Sequence, residues 1–374
     1  MHSSSTAENR LLLHQKRDRW LRAVRLERQD RVPVVLSADA YAARQAGLTL
    51  AEYVEDWNLA LRVTVEALTK WGEIDGVAMS FFPPAFHPYS LLMAVKLPGR
   101  DLPNDVMWQL DEQCLVGTEI YDQVVELGWD AWFEQFVARE FPGLDEVGER
   151  LMAFLPEVHA AWEAAGVPCL HVDGGGEIPL DPLCGARSMK EFMLDLHRVP
   201  DKVQAAIDVA MPSVLRWIPE SFPSEEAIGF PVYAARGSSD LLSPRLWERF
   251  VFPYLLPIVE ATVKAGGVPV FHFDGDWNRV VPRLLDFPAK SCVVEFDGRT
   301  DIFRAKEILG DHMCIKGDVP ASLLTLGTPA KVGEYCRRLI AEVGPEGFIL
   351  SQACCIPCEA KAENVRAMIE SIHA

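Results

Sequence analysis

Val268-Pro269-Val270-Phe271-His272-Phe273-Asp274-Gly275 is an apolar, β-rich run that ends in two polar side chains and a glycine. It lies between Pro244–Ala265 and Asn278–Asp286, two segments whose apolar residues recur at helical spacing. A strand bracketed by helices is the repeating unit of a parallel sheet. Outward from this run the unit recurs in both directions. Further strands are predicted at Val32–Ser37, Gly76–Ser80, Val167–Asp173, Ile228–Ala234, Ser291–Phe296, Met313–Lys316 and Phe348–Ser351. Further helices are predicted at Thr49–Lys70, Ser188–Asp208, Asp301–Leu309, Pro329–Val343 and Lys361–His373. Eight strands alternating with helices predict an α/β chain closed as a (β/α)8 TIM barrel.

Ser243-Pro244 and Thr328-Pro329 each put a capping hydroxyl before a proline, whose missing N–H is harmless at the first helical position. The long gap between the second and third strands, residues 82–166, predicts an inserted hairpin around Leu92–Leu110 followed by helices. No stretch reads as a linker or a low-complexity tract. Residues 1–374 are therefore expected to form one barrel domain, with residues 1–30 as an N-terminal helical extension.

The charge balance narrows the partners. Lys and Arg total 36 against 54 Asp and Glu, a net charge of -18, so most of the surface repels phosphate backbones and anionic membranes. Nucleic acid and membrane are not expected as partners. The nine cysteines are scattered except near the C-terminus and read as reduced thiols. Met1–Arg25 interrupts its leucines with charged residues. A cytoplasmic protein is expected.

In a barrel of this kind, functional groups collect where the strands end. His272 and Asp274, two apart on one strand, share a face. Strand eight runs into Ser351-Gln352-Ala353-Cys354-Cys355-Ile356-Pro357-Cys358 at the same rim. Imidazole, carboxylate and thiolate together suit zinc, with a fourth position left for substrate. The adjacent thiols of Cys354 and Cys355 would face opposite ways on an extended chain, so only one is expected to be a ligand; spacing does not choose between them. A metal-free polar pair at His272 and Asp274, with cysteines as core packing, is the competing reading.

Gly237-Ser238-Ser239-Asp240-Leu241-Leu242-Ser243-Pro244 with Phe250–Tyr254, His272–Gly275, Lys316-Gly317-Asp318-Val319, and Cys354 followed by Glu363–Met368 resemble segments of the uroporphyrinogen decarboxylase superfamily. Within it they are most similar to the zinc- and corrinoid-dependent methyltransferases. That resemblance implies zinc held by His272, Asp274 and Cys354, with Asp274 standing where the methylcobalamin:coenzyme M methyltransferases have a cysteine. Ala43-Arg44-Gln45-Ala46-Gly47 resembles a decarboxylase stretch, but the second arginine and the Tyr-Leu-Pro segment that continue it there are replaced by Leu48-Thr49-Leu50-Ala51.

The expected activity is methyl transfer between a small substrate and a corrinoid. A carboxylate in place of a thiolate hardens the zinc and favours an oxygen donor, so demethylation of a methyl ether is expected ahead of methylation of a thiol. Glu295 is the candidate catalytic group, as an exchangeable fourth ligand or a proton donor to the leaving oxygen. Phe81 and Phe82, in an apolar stretch after strand two, His171 and Asp173, and Arg236 and Asp240 are candidate substrate contacts. Arg236 and Asp240 are expected to pair with one another. The Asp-x-His-x-x-Gly pattern of corrinoid-binding domains is absent, so the corrinoid is expected on a partner protein; self-association is left open. A decarboxylase and a non-catalytic corrinoid- or tetrapyrrole-binding module are the rival readings.

Overall fold

The computed structural model describes residues 2–222 and 229–373. Val268–Phe273 pairs in parallel with Gly229–Tyr233 on one side and Val293–Phe296 on the other. Cys314–Val319 and Phe348–Gln352 extend the sheet in one direction, and Gly176–Glu177 in the other, giving six parallel strands. Val35–Leu36 and Gly76–Val77 form a second parallel pair. Single bridges close the ring: Val34 to Leu350, Val77 to Cys169, and His171 to Gly229. The expected eight-stranded barrel is formed. Ile228, the expected start of the fourth strand, lies outside the described residues.

The third barrel strand is the irregular one. Residues 168–172 pair with both neighbours through backbone hydrogen bonds but form no continuous ladder until Gly176. Pro168 lacks an N–H, and Gly174, at φ +148°, breaks the pleat.

The strands bury two different faces. Side chains such as Phe230, Phe271, Val294, Ile315 and Leu350 pack outward into the large core shared with the helices. Val35, Leu170, Val268, Val270, Val293, Cys314 and Ile349 fill the interior, together with Trp20, Ala23 and Val24 of the helix His2–Val24. That helix therefore plugs the end of the barrel where the strands begin. The opposite end is left for polar groups.

Several expected helices are split, each with a local cause. Thr49–Lys70 becomes Leu50–Glu55 and Trp57–Thr69, because Asp56 turns out of helical geometry and caps the second helix through Leu59 N. Ser188–Asp208 divides before Pro200, and Pro244–Ala265 divides at Val251, just ahead of Pro253. Asn278–Asp286 contains only a 3-10 turn over Val281–Asp286. Ser243 and Thr328 cap their helices as expected, accepting from Leu246 N and Lys331 N. The insertion holds an antiparallel hairpin, Ala94–Lys96 with Gln109–Asp111, then helices Glu119–Leu127, Trp129–Glu140 and Leu144–Ala164. Among the described residues no helix is long and apolar enough to cross a membrane.

Candidate metal centre

Phe271 and Phe273 point outward: Phe271 stacks on Phe287, and Phe273 lies flat on Trp277 at 3.7 Å between ring centroids. Alternation then sends His272 into the barrel mouth. Asp274 follows where the strand has ended, and its Oδ1 lies 3.5 Å from His272 Nε2. Cys354, 82 residues away, brings its Sγ to 3.4 Å from the same nitrogen. Nitrogen, oxygen and sulfur donors from these three residues all lie within 4.8 Å of one another. Cys355 is not a member of this cluster. The chain bends at residues 353–355, so the strict alternation of an extended strand does not apply to the two thiols. Cys358 turns away toward the Ala40 carbonyl.

The cluster stabilises positive charge. Burial opposes the imidazolium of His272, but Glu295, Asp274 and Cys354 outweigh it and raise its pKa well above the ordinary value. The neighbouring Cys355 thiol lowers the Cys354 thiol to about 6; burial works against this and the His272 contacts support it. A thiolate, a carboxylate and an imidazole facing one point would welcome a divalent cation in place of the proton. Zinc fits this donor set.

Behind the cluster runs a polar row. Tyr233, His272, Glu295 and Lys316 are register partners on four consecutive strands, all on the inward face. Glu295 Oε2 lies 3.5 Å from His272 Nδ1, on the side of the ring away from Asp274 and Cys354. The same oxygen accepts from Lys316 Nζ at 2.8 Å, and both side chains are at most 4% exposed. Burial would raise the Glu295 carboxyl, yet Lys316 and His272 hold it down at about 2. These facts set Glu295 behind His272, outside the three-residue cluster. A carboxylate this strongly ionised has no proton to give, and it contacts the nitrogen that the cluster does not use. Its position is that of a residue that fixes the tautomer and tilt of His272.

The other expected residues divide. His171 is buried over Gly229 and held neutral at about 3, by burial first and then by the charge of Lys316. Asp173 accepts from Ser80 Oγ at 2.6 Å and meets His159 Nε2 at 2.7 Å, so it ties the loop after strand two to the helix Leu144–Ala164. Phe81 is packed between Trp57 and Phe154, whereas Phe82 faces Phe86 and His87. The expected pairing of Arg236 with Asp240 does not form: Arg236 lies 3.6 Å from Glu112, and Asp240 accepts from Ser238 and approaches Arg299. The inserted hairpin and its flanks supply Glu112, a competitor that sequence proximity does not reveal. Lys316 and Tyr233 were not assigned roles from sequence. A lysine inside the apolar run Cys314–Val319 was the available signal, since such a charge is rarely buried unpaired.

The uroporphyrinogen decarboxylase (URO-D) family pattern matches residues 183–374. A uroporphyrinogen decarboxylase from Syntrophotalea carbinolica is 30% identical over 136 residues, 36% of this chain and 38% of that protein. One from Serratia proteamaculans is 23% identical over 248 residues, 60% of this chain and 67% of the relative. The Syntrophotalea match thus spans well under half of that relative's length. Among solved structures, a methyltransferase from Methanosarcina mazei superposes with a TM-score of 0.65 at 16% identity, covering 96% of this chain and 98% of the other, which shows a shared fold. With half of its length matched by the family pattern and the barrel closed as that fold requires, the chain belongs to the uroporphyrinogen decarboxylase family.

Proposed function

We propose that this protein is a zinc-dependent methyltransferase that moves a methyl group from a small methyl ether to a corrinoid carried by a partner protein. The observation that carries the proposal is the convergence of His272, Asp274 and Cys354 at the barrel mouth. The structural neighbour from Methanosarcina mazei, itself a methyltransferase, supports it. When bound, zinc would act as a Lewis acid on the ether oxygen and make it a better leaving group. The remaining work falls to the chain's own residues. Glu295 keeps the Nδ1 proton of His272 in place so that Nε2 is presented to the metal. Lys316 keeps Glu295 ionised and immobile. Asp274 adds an oxygen ligand, which suits an oxygen donor better than retention of a sulfur nucleophile.

The relatives' name raises decarboxylation as the second reading. A porphyrinogen with many carboxylates needs a cationic cleft. Arg44, in the stretch resembling the decarboxylases, is instead tied to Asp105 at 2.9 Å and Glu359 at 3.3 Å. The two readings separate in one assay. Zinc-loaded protein with free cob(I)alamin and a panel of methyl ethers and methyl thioethers is expected to yield methylcobalamin from an ether, and the protein is expected to give no decarboxylation of uroporphyrinogen. Decarboxylation without methyl transfer would overturn the proposal.

A further inference from the structure

The third, fourth and fifth barrel strands carry Glu177, Tyr233 and His272 side by side, Glu177 paired with Tyr233 and Tyr233 with His272. Paired residues of a parallel sheet face the same side, with about 4.8 Å between strands. Tyr233 therefore stands next to the metal cluster, and Glu177 one strand beyond it. The Tyr233 ring meets His272 edge-on, 5.7 Å between centroids. Gly175 makes room for it: a Cβ there would overlap the ring.

The Tyr233 hydroxyl makes no hydrogen bond among the described residues. Those of Tyr121, Tyr254 and Tyr335 bond to Asp195, Asp208 and Asp318. A tyrosine hydroxyl that is largely buried ordinarily has a partner. Tyr233 is partly exposed at the mouth, where a substrate would supply one.

Glu177 is paired in register with Tyr233, and its electrostatic neighbours include Tyr89 and Ser90 of the helix His87–Leu91 and Asp181 of the helix Leu180–Arg187. Burial, and then the charge of Asp181, raise its carboxyl well above the usual carboxylate range; Ser90 pulls weakly the other way. A carboxyl that keeps its proton both donates and accepts. Nearby cations are already engaged. The Arg236 guanidinium is turned to Glu112, and Lys316 to Glu295. Asp181 is held by the backbone N–H groups of Ala235 and Arg236 at 2.8 and 3.1 Å.

We propose that Tyr233 and Glu177 form a hydrogen-bonding subsite that selects an uncharged substrate carrying a hydroxyl or carbonyl oxygen beside its methoxy group, and that rejects a carboxylate there. This rests on the methyl-ether reading of the adjacent cluster. Tyr233 donates to the second oxygen, and Glu177 completes its hydrogen bonding. A carboxylate at that point would face Glu177, with Arg236 and Lys316 already engaged by Glu112 and Glu295.

The test presents three probes to the zinc-loaded protein: 3-methoxybenzyl alcohol, methoxybenzene and 3-methoxybenzoate. Binding is read by calorimetry and methyl transfer by the absorbance of free cob(I)alamin. The alcohol is expected to bind about tenfold more tightly than either other probe, the size of one or two hydrogen bonds. Tyr233→Phe and Glu177→Leu each collapse that preference with zinc content unchanged, and Glu177→Gln, also uncharged, keeps it. Where Glu177→Leu does not fold, Tyr233→Phe and Glu177→Gln decide the matter alone. A wild type that prefers none of the probes, or a preference that survives Tyr233→Phe, overturns the subsite. The preference without any methyl reaching cobalt leaves the subsite standing and overturns the methyltransferase reading; methyl transfer without the preference does the reverse.

Discussion

His272 has a use for both ring nitrogens, and the two uses come from opposite sides. Nε2 faces Asp274 and Cys354, and Nδ1 faces Glu295. Partners of this kind orient a metal-binding imidazole and raise its basicity, and losing one weakens metal affinity about 10- to 100-fold. Glu295→Gln is therefore expected to lower zinc affinity by about that factor while keeping the stoichiometry, as measured by competition with a chelator. Unchanged affinity would reduce Glu295 to the partner of a buried lysine. The closeness of His272 and Asp274 was legible in the sequence, because residues two apart along an extended chain share a face. The role of Glu295 was not, because it depends on Lys316 and on the register between strands, which appear only when the sheet closes.

Secondary elements were legible where pattern and punctuation agreed. The apolar runs gave the strands except the third, whose ladder at Gly176–Glu177 lies beyond the predicted Val167–Asp173, and Ser243-Pro244 and Thr328-Pro329 marked true helix starts. Helix breaks were missed where one residue served two elements, as Asp56 does between Leu50–Glu55 and Trp57–Thr69. Another such residue holds the floor of the barrel. Asp75, fully buried just before the second strand, pairs with Arg19 of the plugging helix and Arg31 before the first strand, each at 2.5 Å, and accepts from Val34 N at 2.8 Å. Removing it takes one buried partner from each arginine, which keep Asp30 and Glu73, and leaves the Val34 N–H unpaired. Asp75→Ala is expected to cost about 1–3 kcal/mol of unfolding free energy, measured by urea denaturation. A loss below about 1 kcal/mol would show that the helix is held by its apolar face alone.

At the scale of the whole molecule, the chain has the fold of its family and, on the proposed reading, a mouth that departs from the needs of a polyanionic substrate. Its net charge of -18 and the engagement of Arg44 and Arg236 by acids leave anions little to bind. The sequence carried this far because charge totals and barrel periodicity are sums over many residues. It did not carry the pairing of Arg236, which Glu112 from the flank of the insertion takes over from Asp240. The central claim is the metal. Zinc content by elemental analysis, on the parent protein and on His272→Ala, Asp274→Ala and Cys354→Ala, tests it most directly. The prediction is about one zinc per chain in the parent and less in each variant; a parent that takes up no zinc when supplied with it, or three variants that all retain it, would contradict the site.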